Sequence, residues 1–162
     1  MRKSTRLVAV SAVIAALMSP IAWGQDTPEV HVVHQHSDPL AAVARHMFRF
    51  EPPTLILEPG ETVAFLNSVA SHTVTTQKGL WPDGVEPVDI RGRSRAEVIF
   101  DVPGLYGITC ARHGRYGMTM LIAVGGEGIA AAADLDPSIL PATPLAKDSY
   151  AAQADALAAQ SN

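Results

Sequence analysis

Cys110, His113 and Met118 stand in the order C-x2-H-x4-M at the end of the stretch that begins at Pro103. A thiolate, an imidazole and a thioether in one short loop form a soft donor set. Copper accepts all three, whereas zinc seldom recruits a thioether. Cys110 is the single cysteine of the chain. It cannot close an internal disulfide, so it is an inert core thiol, a reactive thiol or a ligand. The company of His113 and Met118 favours the ligand. A planar arrangement of two imidazoles and a thiolate needs one more histidine from elsewhere. His72 is the candidate, at the head of a β-branched run and just after Asn67-Ser68-Val69-Ala70-Ser71.

Strands must position such a set. Cys110 is expected to end one strand and Met118 to begin the next, with Gly114 and Gly117 letting the loop between them turn tightly. Alternation and turn signals predict strands over 30–33, 46–50, 55–57, 62–66, 72–76, 96–100, 105–109 and 118–124, the last closed by Gly125-Gly126. Glu58-Pro59-Gly60-Glu61 has Pro and Gly where a type II turn wants them, and 78–88 reads as loop. Strands at this spacing indicate an all-β antiparallel sandwich or barrel. The Ala-rich tail differs. It predicts a helix over 147–160, capped by Asp148, with Tyr150, Ala154 and Leu157 packed on the sandwich.

Length and charge bound the rest. The 162 residues suit one domain. Residues 1–24 have the form of a secretory signal: basic Arg2, Lys3 and Arg6, an apolar run at 7–17 too short to span a bilayer, and small residues at Ala22 and Gly24. Cleavage before Gln25 would export the chain and leave no membrane anchor. The expected organisation is therefore a signal at 1–24, a sandwich domain at 25–126 and a helical extension at 127–162. The mature chain keeps 9 basic and 16 acidic side chains, a net charge of −7. That balance disfavours nucleic acid as a partner.

The chain resembles the pseudoazurins, within the cupredoxin superfamily. The resemblance runs from about Val30 to Gly125. It is carried by Phe50-Glu51-Pro52, Pro59-Gly60-Glu61-Thr62-Val63, His72, Pro103-Gly104-Leu105-Tyr106, the ligand loop, and Leu121-Ile122-Ala123-Val124-Gly125. It implies a Greek-key cupredoxin β-sandwich with a C-terminal helical extension, one type 1 copper per chain and a periplasmic location. His72 and His113 would supply imidazoles, Cys110 the thiolate and Met118 the weak axial thioether. Met120, the rival thioether, is expected to face into the sandwich. The implied activity is single-electron transfer by a monomer, with redox partners such as nitrite reductase, nitrous oxide reductase or c-type cytochromes. Three loop features depart from the pattern. Thr73 stands where the family usually has Asn, Arg112 where it has Pro, and Arg115-Tyr116 where residues are smaller or apolar.

Other residues invite weaker expectations. His31, His34 and His36 form H-x2-H-x-H and read as a strand residue with solvated neighbours rather than a second metal site. Phe48 shares a strand face with Phe50, and either stacks on His113 or packs in the core. His113 is expected at the solvent edge, as the electron port. Arg112 and Arg115, with Lys78, Arg91, Arg93 and Arg95, form an uneven basic collar on an acidic chain. The competing functions are a periplasmic copper carrier or storage protein and a small copper enzyme. Four protein ligands leave no open position for substrate, which argues against the enzyme.

Overall fold

In the computed structural model, residues 27–34 and 47–160 are described; the proposed signal at 1–24, together with His36 and His46, lies outside them, as does the side chain of His34. The strands are β1 (Glu29–His34), β2 (Phe48–Glu51), β3 (Thr54–Leu57), β4 (Glu61–Thr76), β5 (Asp89–Phe100), β6 (Gly104–Thr109) and β7 (Thr119–Val124). Helix α1 (Gly125–Ala133), a 3-10 turn at Pro137–Ile139 and helix α2 (Pro144–Ala159) follow. The ladder runs β2-β1-β4-β6-β7-β3, with β5 paired to β4. Pairs β1–β4 and β3–β7 are parallel, and the others antiparallel.

Strand β4 joins the two layers. Its first half lies beside β1, at Ala64, Phe65 and Leu66, and its last residues, Thr75 and Thr76, lie beside β6. The two strands expected at 62–66 and 72–76 are therefore one. Its pairing with β5 slips between Ser68 and Thr73. Asn67 and Ala70 there take φ of 64° and 55°, a region few non-glycine residues enter. The irregularity broke the period-two pattern in the sequence, and it is what delivers His72 to the end of the sandwich.

Burial divides β7 between two cores. Met120, Ile122 and Val124 join Val30, Phe50, Phe65, Phe100, Tyr106 and Ile108 between the layers. Leu121 and Ala123 face the other way, against Ala132, Tyr150, Ala154 and Leu157 of the helices. A strand that alternates between two apolar environments reads as a continuous apolar run, as Met120-Leu121-Ile122-Ala123-Val124 does.

The extension departs from expectation in three ways. Gly125 does not merely end β7: it opens α1, which sequence reasoning missed. Helix α2 begins three residues earlier than predicted, at Pro144. Its cap is Thr143, whose hydroxyl accepts from the Ala146 N–H, and not Asp148, which lies inside the helix. Pro144 sits at the first helical position, where its missing N–H costs nothing. Tyr150, Ala154 and Leu157 are buried as predicted. Among the described residues no helix is long and apolar enough to cross a membrane.

Candidate metal centre

The loop between β6 and β7 is built by short backbone bonds. The Gly114 N–H donates to the Cys110 carbonyl at 2.7 Å, Tyr116 N–H to His113 O at 2.9 Å, and Cys110 N–H to Met118 O at 3.2 Å. These fold residues 114–116 into a 3-10 turn that ends at Gly117, whose φ is 89°. Gly114 has no room for a side chain, because a Cβ there would run into the Thr109 hydroxyl. The tight loop swings His113 back over the end of the sandwich.

His72, Cys110 and His113 meet there, all buried, with one donor atom of each lying within 4.8 Å of the others. The His113 Nδ1 is 3.2 Å from the His72 Nδ1 and 3.6 Å from the Cys110 sulfur. A trigonal ion with bonds of roughly 2.0–2.3 Å would hold its donors about 3.5–3.7 Å apart. The two distances from His113 stand near that spacing and all three donors lie within 4.8 Å, so the donor set fits copper held by histidine and thiolate. Met118 is fully buried in the same core cluster as Cys110, and its N–H donates to His113 O at 3.3 Å. Met120 is fully buried in the inter-layer core, as expected.

Thr73 performs two tasks at once. Its hydroxyl oxygen accepts from the Ala111 N–H at 2.9 Å, and its proton is directed at the Cys110 sulfur, 3.9 Å away. The first bond ties the loop to β4. The second sets a weak donor against the thiolate. A hydroxyl can donate and accept together, so Thr73 makes both contacts.

His113 is not at the solvent edge. It is 5% exposed, and the Phe48 ring lies over it with centroids 3.9 Å apart and planes 9° from parallel. His72 is similarly covered, at 6%. Phe48 and Tyr116, both half-buried, lie side by side next to His113 with ring centroids 6.2 Å apart. The basic collar is smaller than the sequence suggested. Arg91 is paired with Asp89 at 2.6 Å, and Arg95 with Glu29 at 2.6 Å and Glu97 at 3.0 Å. Arg112 and Arg115 are exposed on the loop itself, and the Arg115 guanidinium lies 4.6 Å above the Tyr116 ring. Arg91 and Arg112 border a shallow groove beside His72. His31 is exposed on β1, and no second histidine cluster forms among the described residues.

A sandwich with two histidines and a cysteine gathered at one end, beneath a loop between its last two strands, defines a cupredoxin-type copper protein. The family model described as copper binding proteins, plastocyanin/azurin family, matches residues 38–125, and the chain belongs to that family. Within it the likeness is to pseudoazurins. The pseudoazurin of Paracoccus pantotrophus is 31% identical over 119 residues, which cover 74% of this chain and 76% of that protein. The refined crystal structure of pseudoazurin from Methylobacterium extorquens AM1 superposes with a TM-score of 0.59 at 32% identity, covering 83% of this chain and 99% of that one. Native pseudoazurin from Hyphomicrobium denitrificans gives 0.64 at 26% identity, over 80% and 96%. The Greek-key cupredoxin sandwich with its helical extension is thus the fold, and copper is the cofactor.

Proposed function

We propose that this chain is a one-electron carrier in which His72, Cys110, His113 and Met118 hold a single type 1 copper. The convergence of two Nδ1 atoms and one sulfur in a buried, loop-braced cluster is the observation that carries this reading. Bound there, copper supplies a couple between its cuprous and cupric states. The protein supplies constraint. His72 is fixed by the irregular turn in β4, Cys110 by the end of β6, and His113 by the loop's own bonds and by Phe48. Donors held this way move little when charge changes, so electron transfer needs little reorganisation. Four protein ligands leave no position for a substrate, which makes the chain a carrier and not an enzyme.

Electrons enter and leave through the Phe48-covered edge of His113. Exposed Arg112 and Arg115 flank that edge and favour acidic redox proteins, of which nitrite reductase, nitrous oxide reductase and c-type cytochromes are the candidates. The signal-like segment at 1–24 supports export to the periplasm, with the sandwich at 25–126 and the extension at 127–162 forming a monomer.

Protein-film voltammetry on the copper-loaded chain, run with a competing chelator, separates a shuttle from a copper carrier. A shuttle gives a reversible one-electron wave that persists over repeated cycles. Loss of the wave as the chelator takes the metal on reduction would identify a copper carrier.

A further inference from the structure

Backbone carbonyls before, within and after the metal loop are held by side chains of a single helix. The Tyr150 hydroxyl donates to Ile108 O at 2.9 Å, two residues before Cys110. Thr143, at the helix cap, donates to Arg115 O at 3.0 Å, and Ser149 to Gly117 O at 3.2 Å. The Gln153 amide donates to Thr119 O at 2.9 Å, immediately after Met118. A second layer links these groups, because the Thr119 hydroxyl donates to Ser149 Oγ at 2.8 Å. The helix also backs directly on the loop: a Cβ on Gly117 would come 3.4 Å from the Leu145 carbonyl oxygen.

Anchoring the extension would need only apolar contacts, which Ala154 and Leu157 already make. Buried polar groups add nothing to such an anchor unless each finds a partner. Yet α2 buries the Tyr150 hydroxyl and Gln153, and aims both at the strands flanking the ligands. Burial pushes the Tyr150 phenol well above its usual range, so it remains a neutral donor. The loop's own backbone bonds, such as Gly114 N–H to Cys110 O and Cys110 N–H to Met118 O, close a short 3-10 turn, and turns of that kind gain from support outside them.

We infer that α2 is a positioning element for the metal loop: Tyr150, Thr143, Ser149 and Gln153 hold its backbone in the ligand-bearing shape before copper arrives. This rests on the assignment of Cys110, His113 and Met118 as ligands. The loop is therefore rigid from outside the sandwich as well as from within, through Thr73. Copper meets donors already in place, and the ordering of the loop is settled at folding.

Hydrogen exchange on the metal-free full chain tests the brace without copper. The variants are Tyr150→Phe, Ser149→Ala and Gln153→Leu. The control is Tyr106→Phe, because the Tyr106 hydroxyl donates to Val102 O at 2.6 Å, outside the loop. Each α2 variant should speed exchange at the Gly114, Tyr116, Gly117 and Met118 amides about fivefold, the effect of losing one typical hydrogen bond on local opening. Tyr106→Phe should leave those amides unchanged. In the copper-loaded proteins the visible absorption band should shift in the α2 variants and not in the control. Loop exchange that is unchanged, or raised equally by Tyr106→Phe, would overturn the inference; should Tyr150→Phe not fold, Ser149→Ala on the partly exposed face decides it. A colourless copper-loaded wild type would contradict the ligand assignment instead, and the exchange result would still decide the brace.

Discussion

The Phe48 ring lies flat on the His113 imidazole, 3.9 Å between centroids and 9° from parallel. An electron port expected to be open to water is in fact roofed by an aromatic side chain. The roof excludes water from one face of the imidazole and still presents a π surface to a partner. Phe48→Ala should uncover His113 and speed copper loss to a chelator several-fold. It should also lower stability by about 1–2 kcal/mol, less than a fully buried phenylalanine would cost, because Phe48 is only half-buried. Stopped-flow chelation and denaturant unfolding measure the two effects.

Thr73 should tune the metal through Cys110. A donor directed at the sulfur withdraws electron density from the thiolate and so disfavours the cupric state. Thr73→Val should therefore lower the reduction potential, and by removing the acceptor of the Ala111 N–H should cost about 1 kcal/mol of stability, the worth of a typical hydrogen bond. Thr73→Asn, whose side-chain amide can also donate and accept, should recover most of both. Voltammetry and urea titration on the three proteins provide the check.

Met118→Gln should keep copper and lower the potential, because a harder axial oxygen favours Cu(II). The buried position of Met118 in the core beside Cys110 motivates this assignment. An unchanged potential would remove Met118 from the ligand set.

Arg112 and Arg115 should steer partners. Both are exposed on the metal loop, whereas Arg91 and Arg95 are engaged by carboxylates. Rim charges act mainly on association rate and are screened over about 8 Å at physiological ionic strength. Arg112→Glu with Arg115→Glu should slow electron transfer to an acidic partner and flatten its salt dependence, leaving the absorption spectrum nearly intact. Stopped-flow rates over a salt series test this. A wild-type rate that ignored salt would assign docking to the apolar surface of Phe48 and Tyr116.

What could be read from the residues alone follows from where information is local. The C-x2-H-x4-M loop is contiguous, so its donors could be named together, and the apolar run at 120–124 was read as a strand but not as one covered on both faces. His72 was reachable because it follows a polar break before a β-branched run. The long β4 was not, since its positive-φ residues Asn67 and Ala70 interrupt the period of two. Strand β5 was seen only at its end, because Arg91, Arg93, Ser94 and Arg95 are all exposed and their order comes from the ladder with β4. The pairing of Arg95 with Glu29, the roof over His113 and the grip of α2 on the loop join residues far apart in sequence, where no local pattern exists to reveal them.

The central claim is that Cys110 is a copper-bound thiolate between two imidazoles, and the visible spectrum of the oxidised, copper-loaded protein tests it most directly. An intense blue or green band from sulfur-to-copper charge transfer is expected, with one copper per chain, and Cys110→Ser should abolish the band. A pale copper-loaded wild type, or a Cys110→Ser variant that keeps its colour, would contradict the account.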